Sequence, residues 1–135
     1  MKPSIFVLDS YALMCFFRRE RGFEYIETLI HQAKSETCAL KLSIINWGEI
    51  FYSILRANGD LAAKQALALI DQYPIDLVMA DRALTLYAAR IKAVHPIAYG
   101  DCFAAALAIR EGGTIVTGDP EFRKLGDKIS IHWLK

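Results

Sequence analysis

Four acidic residues carry the chemistry open to this sequence: Asp9, Glu49, Asp101 and Asp119. Asp9 ends the apolar run Ile5-Phe6-Val7-Leu8, and Asp119 follows Thr114-Ile115-Val116-Thr117 across a single glycine. Runs of this length and composition read as buried strands. In an open parallel sheet the carboxyl ends of the strands line the ligand crevice, so both acids fall on one rim. Asp101 opens a small-residue, almost wholly apolar stretch through Glu111, a helix suited to packing against that sheet with its first turn at the same rim. Glu49 lies opposite the Phe51 and Ile54 stripe of a helix, beside Asn46, Ser53 and Arg56. Periodicity alone leaves that face in solvent; alternatively it closes the pocket.

Carboxylates gathered within a few ångströms raise one another's pKa, and a divalent cation removes the conflict. Oxygen donors with no His or Cys beside them favour Mg²⁺ or Mn²⁺, which keep several waters and bind through a few carboxylates and substrate phosphate. Such an ion suits in-line attack of water on a phosphodiester. Each acid also has a structural explanation. Asp9-Ser10 precedes a helix, Asp101 follows a glycine at a helix start, and Asp119-Pro120 is a helix cap followed by proline at the first helical position. Taken singly, Asp101 and Asp119 are better explained by capping; the common placement of all three at one rim is what favours a shared site.

The elements that must position these groups follow from periodicity and breakers. After Asp9, Ser10 is placed to cap a first helix through Phe17, ending in Arg18, Arg19 and Arg21 before Gly22. Phe23, Ile26, Leu29, Ile30 and Ala33 recur at helical spacing up to about Ser35, and residues 37–43 read as a second strand. A third helix spans about Ile45 to Ala57 and stops at Asn58-Gly59; Asp60 is placed to cap a fourth, which Pro74 terminates. Ile75–Val78 is a short strand, Asp81 opens a helix to Val94, and Pro96 breaks the pattern ahead of Asp101. Beyond Gly112-Gly113 come the fourth strand, a turn at Gly118-Asp119-Pro120 into a short helix, and a last edge strand at residues 129–131. Short strands alternating with helices give a three-layer α/β/α domain around a mostly parallel sheet of about five strands.

The bulk properties fit one domain over residues 1–135, with 54% apolar residues to fill a core. Charge is nearly balanced, with 16 basic and 15 acidic residues; with the four acids set aside, 16 face 11, a mildly basic body around an acidic pocket. Cys15, Cys38 and Cys102 are odd in number and embedded in apolar sequence, the pattern of reduced core thiols and of a cytoplasmic protein. No signal peptide and no apolar run of the roughly 20 residues needed for a membrane span is visible.

Leu8-Asp9-Ser10-Tyr11-Ala12, Ile45-Asn46-Trp47-Gly48-Glu49-Ile50, Tyr99-Gly100-Asp101-Cys102-Phe103 with the alanines after it, and Val116-Thr117-Gly118-Asp119-Pro120-Glu121-Phe122 together resemble the four acidic motifs of PIN domains, and most closely those of VapC-like toxins of toxin–antitoxin pairs. The likeness covers nearly the whole chain, in the family's order. It implies a PIN-like fold and a metal-dependent ribonuclease. Asp9 and Asp101 match the direct ligands of Mg²⁺ or Mn²⁺, Glu49 and Asp119 match ligands acting directly or through water, and Ser10 and Thr117 match hydroxyl residues that orient the acids. It also implies a homodimer, and a cognate antitoxin whose tail occupies the cleft.

Arg18, Arg19 and Arg21 are candidates for contacts to RNA phosphates, set against a solvated helix end. Tyr99 and Tyr11 are candidates for base stacking, set against burial in the core. His31, His95 and His132 lack zinc-ligand spacing, and Cys102 has no histidine beside it in sequence to make a nucleophile. Two other functions compete. One is aspartyl-phosphate transfer through Asp9, although Tyr11 stands where such sites want a second acid; the other is a non-catalytic domain that keeps only the scaffold.

Overall fold

The computed structural model describes residues 3–135. Five strands, β1 (Ser4–Leu8), β2 (Cys38–Ser43), β3 (Ile75–Val78), β4 (Thr114–Thr117) and β5 (Ser130–Trp133), form one sheet in the order β3-β2-β1-β4-β5. All four pairings are parallel, so the sheet is wholly rather than mostly parallel. The helices are α1 (Ser10–Phe17), α2 (Phe23–Lys34), α3 (Ile44–Asn58), α4 (Asp60–Gln72), α5 (Arg82–Val94) and α6 (Tyr99–Glu111), and a 3₁₀ segment covers Pro120–Lys128.

Alternation along the central strands splits the core in two. Leu8 and Val116 face α1, α2, α3 and α4 in a cluster with Leu13, Ile26, Leu29, Ile50, Ile54 and Ile70. Val7 and Ile115 point the other way, into Leu84, Ala88, Leu107, Phe122 and the alanines of α6. Helices on both faces therefore make three layers, the α/β/α arrangement. Residues Ala104 to Ala108 of α6 are completely buried, and small side chains there let the helix lie close to the sheet. No helix among the described residues is long and apolar enough to cross a membrane.

The topology decides where a site belongs. From β1 the chain builds outward through β2 to β3, then returns across the sheet to add β4 and β5 on the other side. The order reverses between β1 and β4, and a crevice opens where connections leave in opposite directions. Asp9 follows β1 directly, and Asp119 follows β4 by two residues.

Three expected caps change places. Asp9 itself, extended at φ −96° and ψ −178°, caps α1, and Ser10 is its first helical residue. Gly59 precedes α4 without any side-chain cap; Asp60 lies inside the helix and pairs instead with Lys64 at 2.9 Å. The last central helix starts at Tyr99, two residues ahead of Asp101, and its N-cap is Ala98.

Candidate active site

At the switch point a chain of hydrogen bonds joins Asp9 to Asp119. Asp9 is 1% exposed, and its two oxygens have separate partners. Oδ1 accepts the Ala12 N–H at 2.8 Å, and Oδ2 accepts the Thr117 hydroxyl at 2.5 Å. The Thr117 oxygen in turn accepts the Asp119 N–H at 3.0 Å, and Asp119 Oδ1 accepts the Glu121 N–H at 2.9 Å as the cap of the 3₁₀ segment. A single buried hydroxyl thus ties the end of β1 to the turn after β4. Each carboxylate oxygen has room for about two partners, so none of these bonds exhausts the acids.

Asp101 lies in the first turn of α6 with 8% exposure and makes no capping bond. Helix capping, its bland explanation, does not apply. Glu49 comes from α3, and its partly buried carboxylate accepts an Asn46 side-chain N–H at 2.7 Å. It rests against Gly100, where a Cβ would collide with it. α6 lies against the polar face of α3 at this point, so Glu49 is partly buried and not on the fully solvated face that periodicity alone gives.

Electrostatics shows the grouping. Burial pushes the Asp9 pKa from 3.8 to about 7; the bonds from Thr117 and Ala12 oppose the rise, and the charges of Asp101 and Asp119 add to it. Asp101 is likewise pushed to about 7, first by burial and then by Asp119, Glu49 and Glu121. All four expected acids thus share one neighbourhood. Glu121, which the sequence reading passed over, adds a fifth carboxylate, paired with Lys124 at 2.6 Å. Its signal was an acid two residues past Asp119 in a segment too short to show a period.

None of the ion pairs among the described residues involves Asp9, Glu49, Asp101 or Asp119. Nor does any trio of His, Cys, Asp or Glu among those residues enclose a metal ion by itself. The donor set nonetheless fits a hydrated divalent cation. Two nearly buried carboxylates with raised pKa values need a positive charge, all the donors are oxygen, and Mg²⁺ or Mn²⁺ binds through few protein ligands and several waters.

The flanking candidates separate. Tyr11 and Tyr99 are 47% and 45% exposed, each two residues from a site acid, which removes the core reading for both. Tyr11 lies over Gly118, and Tyr99 meets the Phe103 ring edge-on at 5.0 Å. Arg18, Arg19 and Arg21 are exposed at the far end of α1, about 12 Å along the helix from Asp9, with Arg19 over the Phe23 ring. Their distance weakens the phosphate-path reading. Cys102 is fully buried, His132 stacks on Tyr25 at 3.7 Å, and His95 contacts Lys128.

Residues 6–128 match the family profile of the PIN domain. The chain belongs to the PIN-domain family. Solved structures with the same fold include the VapBC2 complex of Rickettsia felis bound to a promoter DNA fragment, at 16% identity and a TM-score of 0.76 over 97% of this chain and 99% of that one. The DNA-bound VapBC of Salmonella typhimurium is 20% identical, with a TM-score of 0.71 over 96% and 97% of the two chains. VapC20 of Mycobacterium tuberculosis, a sarcin-ricin loop cleaving toxin, is 19% identical with a TM-score of 0.71 over 91% and 95%. No curated protein sequence matches significantly. In this PIN domain Thr117 is the side chain that braces Asp9 from β4. Thr117→Val keeps the shape and deletes the donor to a buried carboxylate, so stability measured by denaturant melts at pH 8 is expected to fall by about 1.5 to 3 kcal/mol, the usual scale for a hydrogen bond to a charged group.

Proposed function

We propose that this PIN domain is a Mg²⁺- or Mn²⁺-dependent endoribonuclease, the toxin of a toxin–antitoxin pair. The observation that carries the reading is the pair of nearly buried acids, Asp9 and Asp101, both near pKa 7 at the switch point and in none of the ion pairs among the described residues. Family membership and the shared fold of VapBC structures support it. Asp9 and Asp101 would hold the cation directly, and Glu49 and Asp119 directly or through water. When bound, the cation activates a water and offsets charge on a phosphodiester under in-line attack.

The protein's own residues do the rest. Thr117 fixes the orientation of Asp9, while Ser10 opens α1 beside it. The half-exposed rings of Tyr11 and Tyr99 flank the acids and offer stacking faces to unpaired bases, the usual mode of reading single-stranded RNA. Aspartyl-phosphate transfer lacks the second acid such sites want, because Tyr11 stands two residues after Asp9. The partners that go with this reading are an RNA substrate, a cognate antitoxin and a second copy of the chain.

Incubating the purified protein with structured RNA and Mn²⁺ should yield discrete cleavage products that EDTA suppresses. Absence of cleavage, together with a melting temperature indifferent to Mn²⁺, would leave the non-catalytic scaffold as the better account.

A further inference from the structure

We infer that Asn46 and Gly100 are a matched pair of positioning residues, which set the Glu49 carboxylate against the first turn of α6 so that the cation site is assembled before any cation arrives. The inference rests on the metal-dependent reading above and concerns how that site is built. Asn46 is completely buried in the first turn of α3, and both of its side-chain protons are used. One goes to Glu49 Oε1 at 2.7 Å, the other to the carbonyl of Gly100 at 3.2 Å. A carbonyl only accepts, so the amide nitrogen must face Gly100 and the orientation of the side chain is fixed. The consequence is a stitch between α3 and α6, through residues 54 apart in sequence, that also grips the acid.

Its cost is visible on the other atom. Asn46 Oδ1 is buried with no hydrogen-bond partner. Leaving an acceptor unsatisfied inside a protein is unfavourable, so an apolar side chain of similar size would serve folding better. The asparagine is explained by what its nitrogen holds.

Gly100 supplies the complementary half. It lies in the first turn of α6 outside the set of glycines with positive φ, so its backbone does not require glycine. Space does: a Cβ there would stand 2.6 Å from Glu49 Cδ and 2.7 Å from Oε1. With Asn46 gripping the carboxylate and Gly100 leaving a seat for it, Glu49 is held against the residue that directly precedes Asp101 in α6. Acids ordered in advance lose less freedom when a ligand binds.

Mn²⁺ titration by calorimetry, with melting in EDTA, tests this on the full chain. Asn46→Leu and Gly100→Ala should melt without cation within a few degrees of wild type, yet bind Mn²⁺ about 10-fold or more weakly. Both losses should vanish in a Glu49→Gln background, because the pair acts only through that carboxylate. Unchanged affinity in the folded single variants, or an equal loss in the Glu49→Gln background, would overturn the positioning role. Failure of both variants to fold would assign the pair to the fold instead. If wild type binds Mn²⁺ and cleaves RNA while these variants match it, only the positioning role fails; if wild type binds no Mn²⁺ at millimolar concentration, the metal-dependent reading fails with it.

Discussion

Asp9→Asn and Asp101→Asn are each expected to reduce cation-dependent RNA cleavage by about 10³-fold, while the metal-free protein becomes more stable at pH 8, not less. The activity loss follows from removing a charge that holds the cation, a contribution comparable to other preorganised electrostatic groups in active sites. The stability gain follows from burial. Asp9 is 1% exposed with a pKa near 7, so its ionisation at pH 8 works against the fold. A rise of this size corresponds to roughly 4 kcal/mol as an upper bound. Asparagine removes the charge and caps a helix as well as aspartate does, so the bond from Ala12 survives in Asp9→Asn. Its amide nitrogen then faces the Thr117 oxygen, which has lone pairs to accept it, although the hydroxyl proton must find another partner. A net gain of a few kcal/mol, read by denaturant melts in EDTA, is the expected result. An asparagine variant that loses stability and keeps its cleavage rate would show that the acids serve the fold and not the reaction.

Acidification is the second large lever. Asp9 and Asp101 have folded pKa values near 7 and an ordinary value of 3.8, so between about pH 4 and pH 7 the native state binds protons that the unfolded chain has released. Stability contributed by these groups is full below about pH 4 and is lost as pH rises through 7. The metal-free protein should therefore melt higher at pH 5 than at pH 8. At about 3 °C per kcal/mol for a chain of this size, the difference should reach 5 to 10 °C. A divalent cation offsets this difference, because it binds the ionised acids and stabilises by about 2.7 kcal/mol at 100 times its Kd. With saturating Mn²⁺ the melting temperature should rise at pH 8 and respond little at pH 5. A cation-free melting temperature that climbs from pH 5 to pH 8 would mean that Asp9 and Asp101 ionise without penalty.

Most of the architecture was legible in the sequence, because periods of two and 3.6, glycine and proline breaks, and the apolar runs ending at Asp9 and Thr117 are local signals. Errors came where a neighbouring element decides. Ser10 and Asp60 have the chemistry of caps, yet Asp9 and Gly59 hold those positions. The start of α6 at Tyr99 removed the capping explanation for Asp101, since two helical residues precede the one that looked like an opener.

By itself the sequence determined the layer order, the strands that end in acids and, through the likeness of four motifs, the family that the profile match shows. The tertiary structure decided that α6 partly covers Glu49, that Thr117 rather than Ser10 is the hydroxyl bonded to Asp9, and that Glu121 joins the group. Helical periodicity reports how one helix meets its core. It is blind to a second helix laid over the polar side, and that covering, through Asn46 and Gly100, is what turns an outward-facing glutamate into part of an acidic site.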